Sequence, residues 1–144
     1  MKKLKIAVCA LFVTAAVSAQ DISQNEVPMN IKNSFQKNYA AATDIEWEMD
    51  GANYRVEFNL GEVDNEIWYS KDGAILKTKL EITATDLPAA VANTINNYPK
   101  YKIDEVEVTN ENGAKTYEVE LEKMFNKDIE LVLDDTGTII KESK

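Results

Sequence analysis

YEVELE, residues 117–122, places a glutamate at every second position between Tyr117, Val119 and Leu121. Alternation of this kind marks a strand with one covered face and one open face, because successive side chains point to opposite sides. Tyr117, Val119 and Leu121 then read as core, and Glu118, Glu120 and Glu122 as an outer row. YRVEFNL, residues 54–60, carries the same pattern with Arg55 and Glu57 outward.

The likeness extends well beyond these strands. VPMNIKNSFQKNY leads into DIEWEMDGANYRVEFNLGEVDNEIWYSKDGAILK, and LPAAVANTINNYPKY leads into KIDEVEVTNENGAKTYEVELEKMFNKDIELVLDDTGTIIK. Pro28 matches Pro88, Phe35 matches Ile95, Tyr54 matches Tyr117 and Gly73 matches Gly137. Such self-similarity indicates an internal repeat, each copy of which is too small to bury a sufficient core alone.

Each copy opens with a helix. Pro28 and Pro88 suit the first turn, where a missing N–H costs nothing, and Asp86 is an expected N-cap. Ile31, Phe35 and Tyr39 form one apolar stripe and Val91, Ile95 and Tyr98 the other. Alternating strands follow. In the first copy Ile45, Trp47 and Met49 point one way, then Tyr54, Val56, Phe58 and Leu60, then Ile67 and Tyr69, with a fourth strand from near Ala74. In the second copy they are Val106 and Val108, then Tyr117, Val119 and Leu121, then Ile129, Leu131 and Leu133. Glycines fall between these runs, where turns need them. The expected fold is α+β: a tandem repeat of a helix followed by a four-stranded antiparallel sheet, with the helices on one sheet face.

The first 19 residues stand apart. Lys2, Lys3 and Lys5 precede the apolar run Ile6 to Val17, and Val17-Ser18-Ala19 fits a secretory cleavage site. The run is shorter than the roughly 20 residues that span a bilayer. The expected divisions are a signal peptide at 1–19, an N-terminal extension at 20–26 and copies at 27–81 and 86–144, joined by ITATD. The expected location is the periplasm or the exterior, with no membrane anchor after cleavage.

Losing Lys2, Lys3 and Lys5 with the leader takes the formal charge from −9 to −12. That balance argues against nucleic acid or an anionic membrane as partner and is compatible with a protein or peptide of basic surface. Cys9 is the only cysteine, and histidine is absent. Ser-His and Cys-His catalysis, zinc sites of the usual type and haem ligation through His or Cys are thereby eliminated. No enzyme, cofactor or metal is expected. Asp134, Asp135 and Thr136 suit a hairpin turn better than a calcium loop, and Ser34-Phe35-Gln36-Lys37 lacks the companion elements that would give S-x-x-K its chemistry.

GAKTYEVELEKMFNKDIELVLDDTGTIIK, residues 113–141, resembles the core of a PepSY domain: an aromatic-led strand, a turn, a second strand, and an Asp-x-x-Gly turn before a closing strand. Asp134 to Gly137 supplies that turn, whereas the first copy has Ser70 in the aspartate's place. A tandem of such units resembles the PepSY-like, β-lactamase-inhibitor-like group. The resemblance implies an exported, non-catalytic module able to hold another protein, with inhibition of a peptidase or other envelope enzyme as its suggested use.

The outer sheet face is where such a function would reside. Glu46, Glu48, Glu57, Glu66, Glu105, Glu107, Glu118, Glu120, Glu122 and Glu130 are expected there against Arg55 alone, with Trp68 and its counterpart Val132 among them. Like charges opposite one another across strands are unfavourable. The candidate partner-binding residues are therefore Trp68, Arg55, Glu57, Glu118, Glu120, Glu122 and Val132. The alternative is a structural or envelope-stress protein with no specific ligand site, whose glutamates serve solubility.

Overall fold

A computed structural model describes residues 20–124 and 127–144; the signal peptide expected at 1–19 lies outside them. The chain forms β1 (Gln20–Ile22), α1 (Met29–Asn38), β2 (Thr43–Asp50), β3 (Asn53–Leu60), β4 (Val63–Tyr69) and β5 (Ile75–Glu81). A 3-10 turn at Ala84–Asp86 leads to α2 (Ala89–Ile95), then β6 (Lys102–Glu111), β7 (Ala114–Glu122), β8 (Ile129–Asp134) and β9 (Ile139–Ser143). All nine strands make one antiparallel sheet in the order of the chain.

This corrects the expectation of two four-stranded sheets each led by a helix. Among the described residues there is a single nine-stranded sheet with two short helices, of ten and seven residues. The join is made by β5 and β6, paired from Lys77↔Glu111 to Glu81↔Glu107. A sheet ending at β5 would leave a row of N–H and C=O groups unpaired; pairing with β6 satisfies them and leaves edges only at β1 and β9. The segment expected as an N-terminal extension supplies the short edge strand β1, paired with β2 from Gln20↔Met49 to Ile22↔Trp47.

Ladder registers show that both helices cover the same face. Phe58, Asn65, Leu80, Val108, Tyr117 and Leu133 are successive cross-strand partners on that inner side. Ile31 and Phe35 of α1 pack with Trp47, Val56, Phe58, Ile67 and Tyr69. Val91 and Ile95 of α2 pack with Val106, Tyr117, Val119, Leu121, Leu131 and Leu133. These form two clusters beneath one sheet. Ile45 does not join the first: register shifts between Thr43 and Glu46, Asp44 adopts a φ of 50°, and Ile45 is 39% exposed.

The chain enters both helices through the same local device. Ser23 N and Oγ donate to Glu26 Oε2, both at 2.8 Å. Thr83 N and Oγ1 donate to Asp86 Oδ2 at 3.3 and 2.7 Å. Asp86 thus closes a capping box on the preceding 3-10 turn and is not the N-cap of α2, a position held by Pro88.

Each helix is also clasped by the turn of a hairpin. Thr94 Oγ1 donates to Gly137 O at 2.7 Å, while Asn30 Nδ2 donates to Asp72 O at 3.1 Å beside Gly73. Gly137, at φ 81°, lies so close to α2 that a Cβ there would stand 2.5 Å from Ala90 O. Asp134 braces the same turn, its Oδ1 accepting from Thr136 N at 2.9 Å, Thr136 Oγ1 at 2.6 Å and Thr138 N at 2.9 Å.

Gly137→Ala and Gly113→Ala separate conformational strain from helix docking. Gly113, at φ 83°, would place a Cβ in open space, so its alanine variant should lose only about 1 kcal/mol. Gly137→Ala should lose about 3 kcal/mol or more, because α2 must also shift away from the turn. Equal losses in urea unfolding would contradict the clasp.

Candidate functional site on the open sheet face

The face opposite the helices is built by the outward residues of all nine described strands, β1 to β9. In one row Asp21, Glu48, Arg55, Trp68, Lys77 and Glu111 are successive cross-strand partners. The next row runs Glu46, Glu57, Glu66, Lys79 and Thr109. A third runs Glu81, Glu107, Glu118, Val132 and Lys141, and a fourth contains Glu105, Glu120, Glu130 and Ser143. All seven candidate residues therefore lie on this face, with Glu122 at the end of β7 opposite Lys102. They are not one cluster: Arg55, Glu57 and Trp68 sit on β3 and β4, while Glu118, Glu120, Glu122 and Val132 sit beyond the β5–β6 join.

Arg55 is the hub of the first group. Its Nη1 lies 2.9 Å from Glu48 Oε2 and its Nε donates to Glu66 Oε2 at 2.8 Å, with Glu57 a third carboxylate partner. Burial favours the neutral guanidinium, but Glu66, Glu57 and Glu48 outweigh it and push its pKa up. Burial also raises the Glu57 carboxyl, against the pull of Arg55. Trp68 stands next to Arg55, whose Cζ is 5.4 Å from the indole centroid; Lys77 Nζ is 4.4 Å from it. The indole N–H donates to Asp50 Oδ2 at 3.0 Å. Two cations and a carboxylate thus hold the half-buried ring in one orientation.

The second group is organised by lysines. Lys79 Nζ lies 2.7 Å from Glu107 Oε2, and Lys141 Nζ lies 2.8 Å from Glu130 Oε1. Burial pushes the Glu118 carboxyl up, opposed by Lys79 and Lys141. Burial likewise raises Glu120, reinforced by Asp104, Asp128, Glu130 and Glu107. Among the described residues no group of three or more side chains converges as a metal cage.

The expectation of many glutamates against Arg55 alone is corrected here. Lys77 and Lys79 from β5 and Lys141 from β9 also point outward, between the acidic rows. Their signal was present in ILKTKLE, residues 75–81, where lysines alternate with Leu76, Thr78 and Leu80.

Residues 14–64 and 52–141 match the family described as "Putative beta-lactamase-inhibitor-like, PepSY-like". The chain belongs to the PepSY-like family. The two overlapping matches agree with the internal repeat. No curated protein matches it. A BLIP-like protein from Bacteroides fragilis is 23% identical, with 81% of this chain and 84% of that one covered at a TM-score of 0.58. One of the "putative periplasmic proteins" of Bacteroides eggerthii is 18% identical, over 81% and 88% of the chains at a TM-score of 0.64. A DUF2874 family protein from Bacteroides uniformis is 19% identical, over 81% and 88% at 0.62. At these identities the likenesses establish a shared fold.

The raised pKa values set a pH dependence for the PepSY-like protein. A carboxyl that ionises less readily when folded favours folding at low pH and loses that contribution as pH rises from its unfolded pKa through its folded one. Glu120 is opposite Glu130 on β8 and beside a bulge carrying Asp104. Glu120→Gln should therefore stabilise the protein at pH 7 by about 0.5 kcal/mol at low salt. The gain should fade below the ordinary glutamate range, where the native side chain is itself protonated. A loss of stability at pH 7 would show that Glu120 is compensated by a cation.

Proposed function

We propose that this PepSY-like protein is a non-catalytic exported module that captures a protein or peptide on the open face of its sheet. The observation that carries this reading is the held indole of Trp68, presented on a broad sheet face that neither helix covers. An aromatic side chain fixed before binding loses little entropy in the complex and is a typical hot-spot anchor. Acidic groups still outnumber cations across the face, so a basic partner is favoured electrostatically. The family's description as "Putative beta-lactamase-inhibitor-like" supports inhibition of a peptidase or other envelope enzyme as the use to which capture is put.

Export is supported by the leader-like residues 1–19 and by the periplasmic relative. No helix among the described residues is long and apolar enough to cross a membrane. The non-catalytic reading rests on the absence of histidine and on the sole cysteine being Cys9 in the leader.

One observation favours the second reading, a structural or envelope-stress protein without a specific ligand. Lys79 and Lys141 form ion pairs with glutamates, as a face selected for solubility would. The readings divide on mutation. Immobilised mature protein should retain a saturable, salt-eluted partner from envelope extract. Trp68→Ala should weaken that capture tenfold or more, on the order of 2 kcal/mol, and Glu118→Lys should weaken it further. Undiminished capture by variants that unfold at the native temperature would overturn the proposal.

A further inference from the structure

We infer that the α1 half of the sheet opens separately from the α2 half and at lower cost, because its core holds polar atoms that the fold does not pair. Trp47 Nε1 and Tyr69 Oη are buried and make no hydrogen bond among the described residues, in side chains only 4% and 0% exposed. Ser34 of α1 is close enough to influence the Tyr69 hydroxyl but lacks hydrogen-bonding geometry. Water would satisfy both groups on opening, so their burial favours the open state.

The α2 half avoids this penalty at the same places. Trp47 lies opposite Val56, and the corresponding pair is Val106 opposite Val119. Tyr54 lies opposite Tyr69, and the corresponding pair is Tyr117 opposite Leu133. Valine and leucine thus stand where the first half has indole and phenol. The helix clasps differ in the same direction. A Cβ on Gly137 would stand nearest the α2 backbone at Ala90, whereas one on Gly73 would stand nearest the side chains of Asn30 and Ile31.

Separate opening is possible because the two cores do not merge. Val27, Ile31, Phe35, Trp47, Val56, Phe58, Ile67 and Tyr69 form one cluster, and the residues around Val91 and Ile95 form the other. Across the join, Thr78, Leu80, Val108 and Asn110 are only half-buried. Lifting α1 would uncover Trp47 and Phe58 on the sheet and Phe35 on the helix while leaving the α2 core intact. Units of this kind open locally with free energies below that of global unfolding.

Hydrogen exchange on the mature protein tests this directly. After correction for intrinsic rates, amides of α1 and Val56 of β3 should exchange at least tenfold faster than those of α2 and Val119 of β7. Trp47 and Trp68 both lie in the α1 half, so fluorescence should report an earlier urea transition than far-ultraviolet circular dichroism. Tyr69→Phe removes one unpaired group at almost constant volume and should slow exchange in α1. Equal protection of the two halves would overturn the inference. So would coincident transitions, or faster α1 exchange in Tyr69→Phe, which would reveal a hydroxyl bonded to Ser34.

Discussion

Five cross-strand pairs between β5 and β6, from Lys77↔Glu111 to Glu81↔Glu107, make one continuous surface from two similar stretches of sequence. Without them β5 would be an edge, and the outer face would end beside Trp68. With them, Lys77 and Lys79 stand between the carboxylates of the first stretch and those of the second. Lys79 reaches across the join to Glu107 and lies in the field of both Glu118 and Glu66. The inner face depends on the same pairing, because Leu80 opposite Val108 joins the sheet beneath the two helices without merging their cores. Backbone satisfaction at the join and charge placement on the open face are consequences of one ladder.

The electrostatics of that face reflect an incomplete balance. Arg55 is surrounded by three carboxylates, and the buried part of its side chain strengthens those contacts relative to water. Burial raises Glu120 most, and the side chains that add most to that shift are the carboxylates of Asp104, Asp128, Glu130 and Glu107. A face selected for stability alone would place a lysine near it, since opposed like charges cost roughly 0.2–1 kcal/mol per pair. Retaining such charges is understandable if a partner's cations neutralise them in the complex, with salt screening limiting the cost when the partner is absent.

Much of this architecture was legible in the residues. Tyr117, Val119 and Leu121 are core and Glu118, Glu120 and Glu122 are outward, as alternation demands. The apolar stripes of both helices and the outward placement of Trp68 follow from periodicity in the same way. What periodicity does not encode is which strand edges meet. Nothing local in ILKTKLE distinguishes a free edge from one paired to a strand beyond the next helix, so two small sheets and one large sheet read alike. Ile45 was misplaced because a left-handed Asp44 shifts the register by a means that alternation cannot express. The hold on Trp68 was illegible for a related reason: Asp50 and Lys77 reach the indole through space from two other strands.

The open face is the surface proposed to meet another molecule. The most direct measurement is an NMR footprint of the nitrogen-15-labelled mature protein, titrated with the partner that salt elutes from envelope extract. Saturable shifts should appear at the Trp68 indole and at the amides of Glu57, Glu118 and Val132, with α1 and α2 unmoved. Shifts confined to the helix face, or none that saturate, would contradict it.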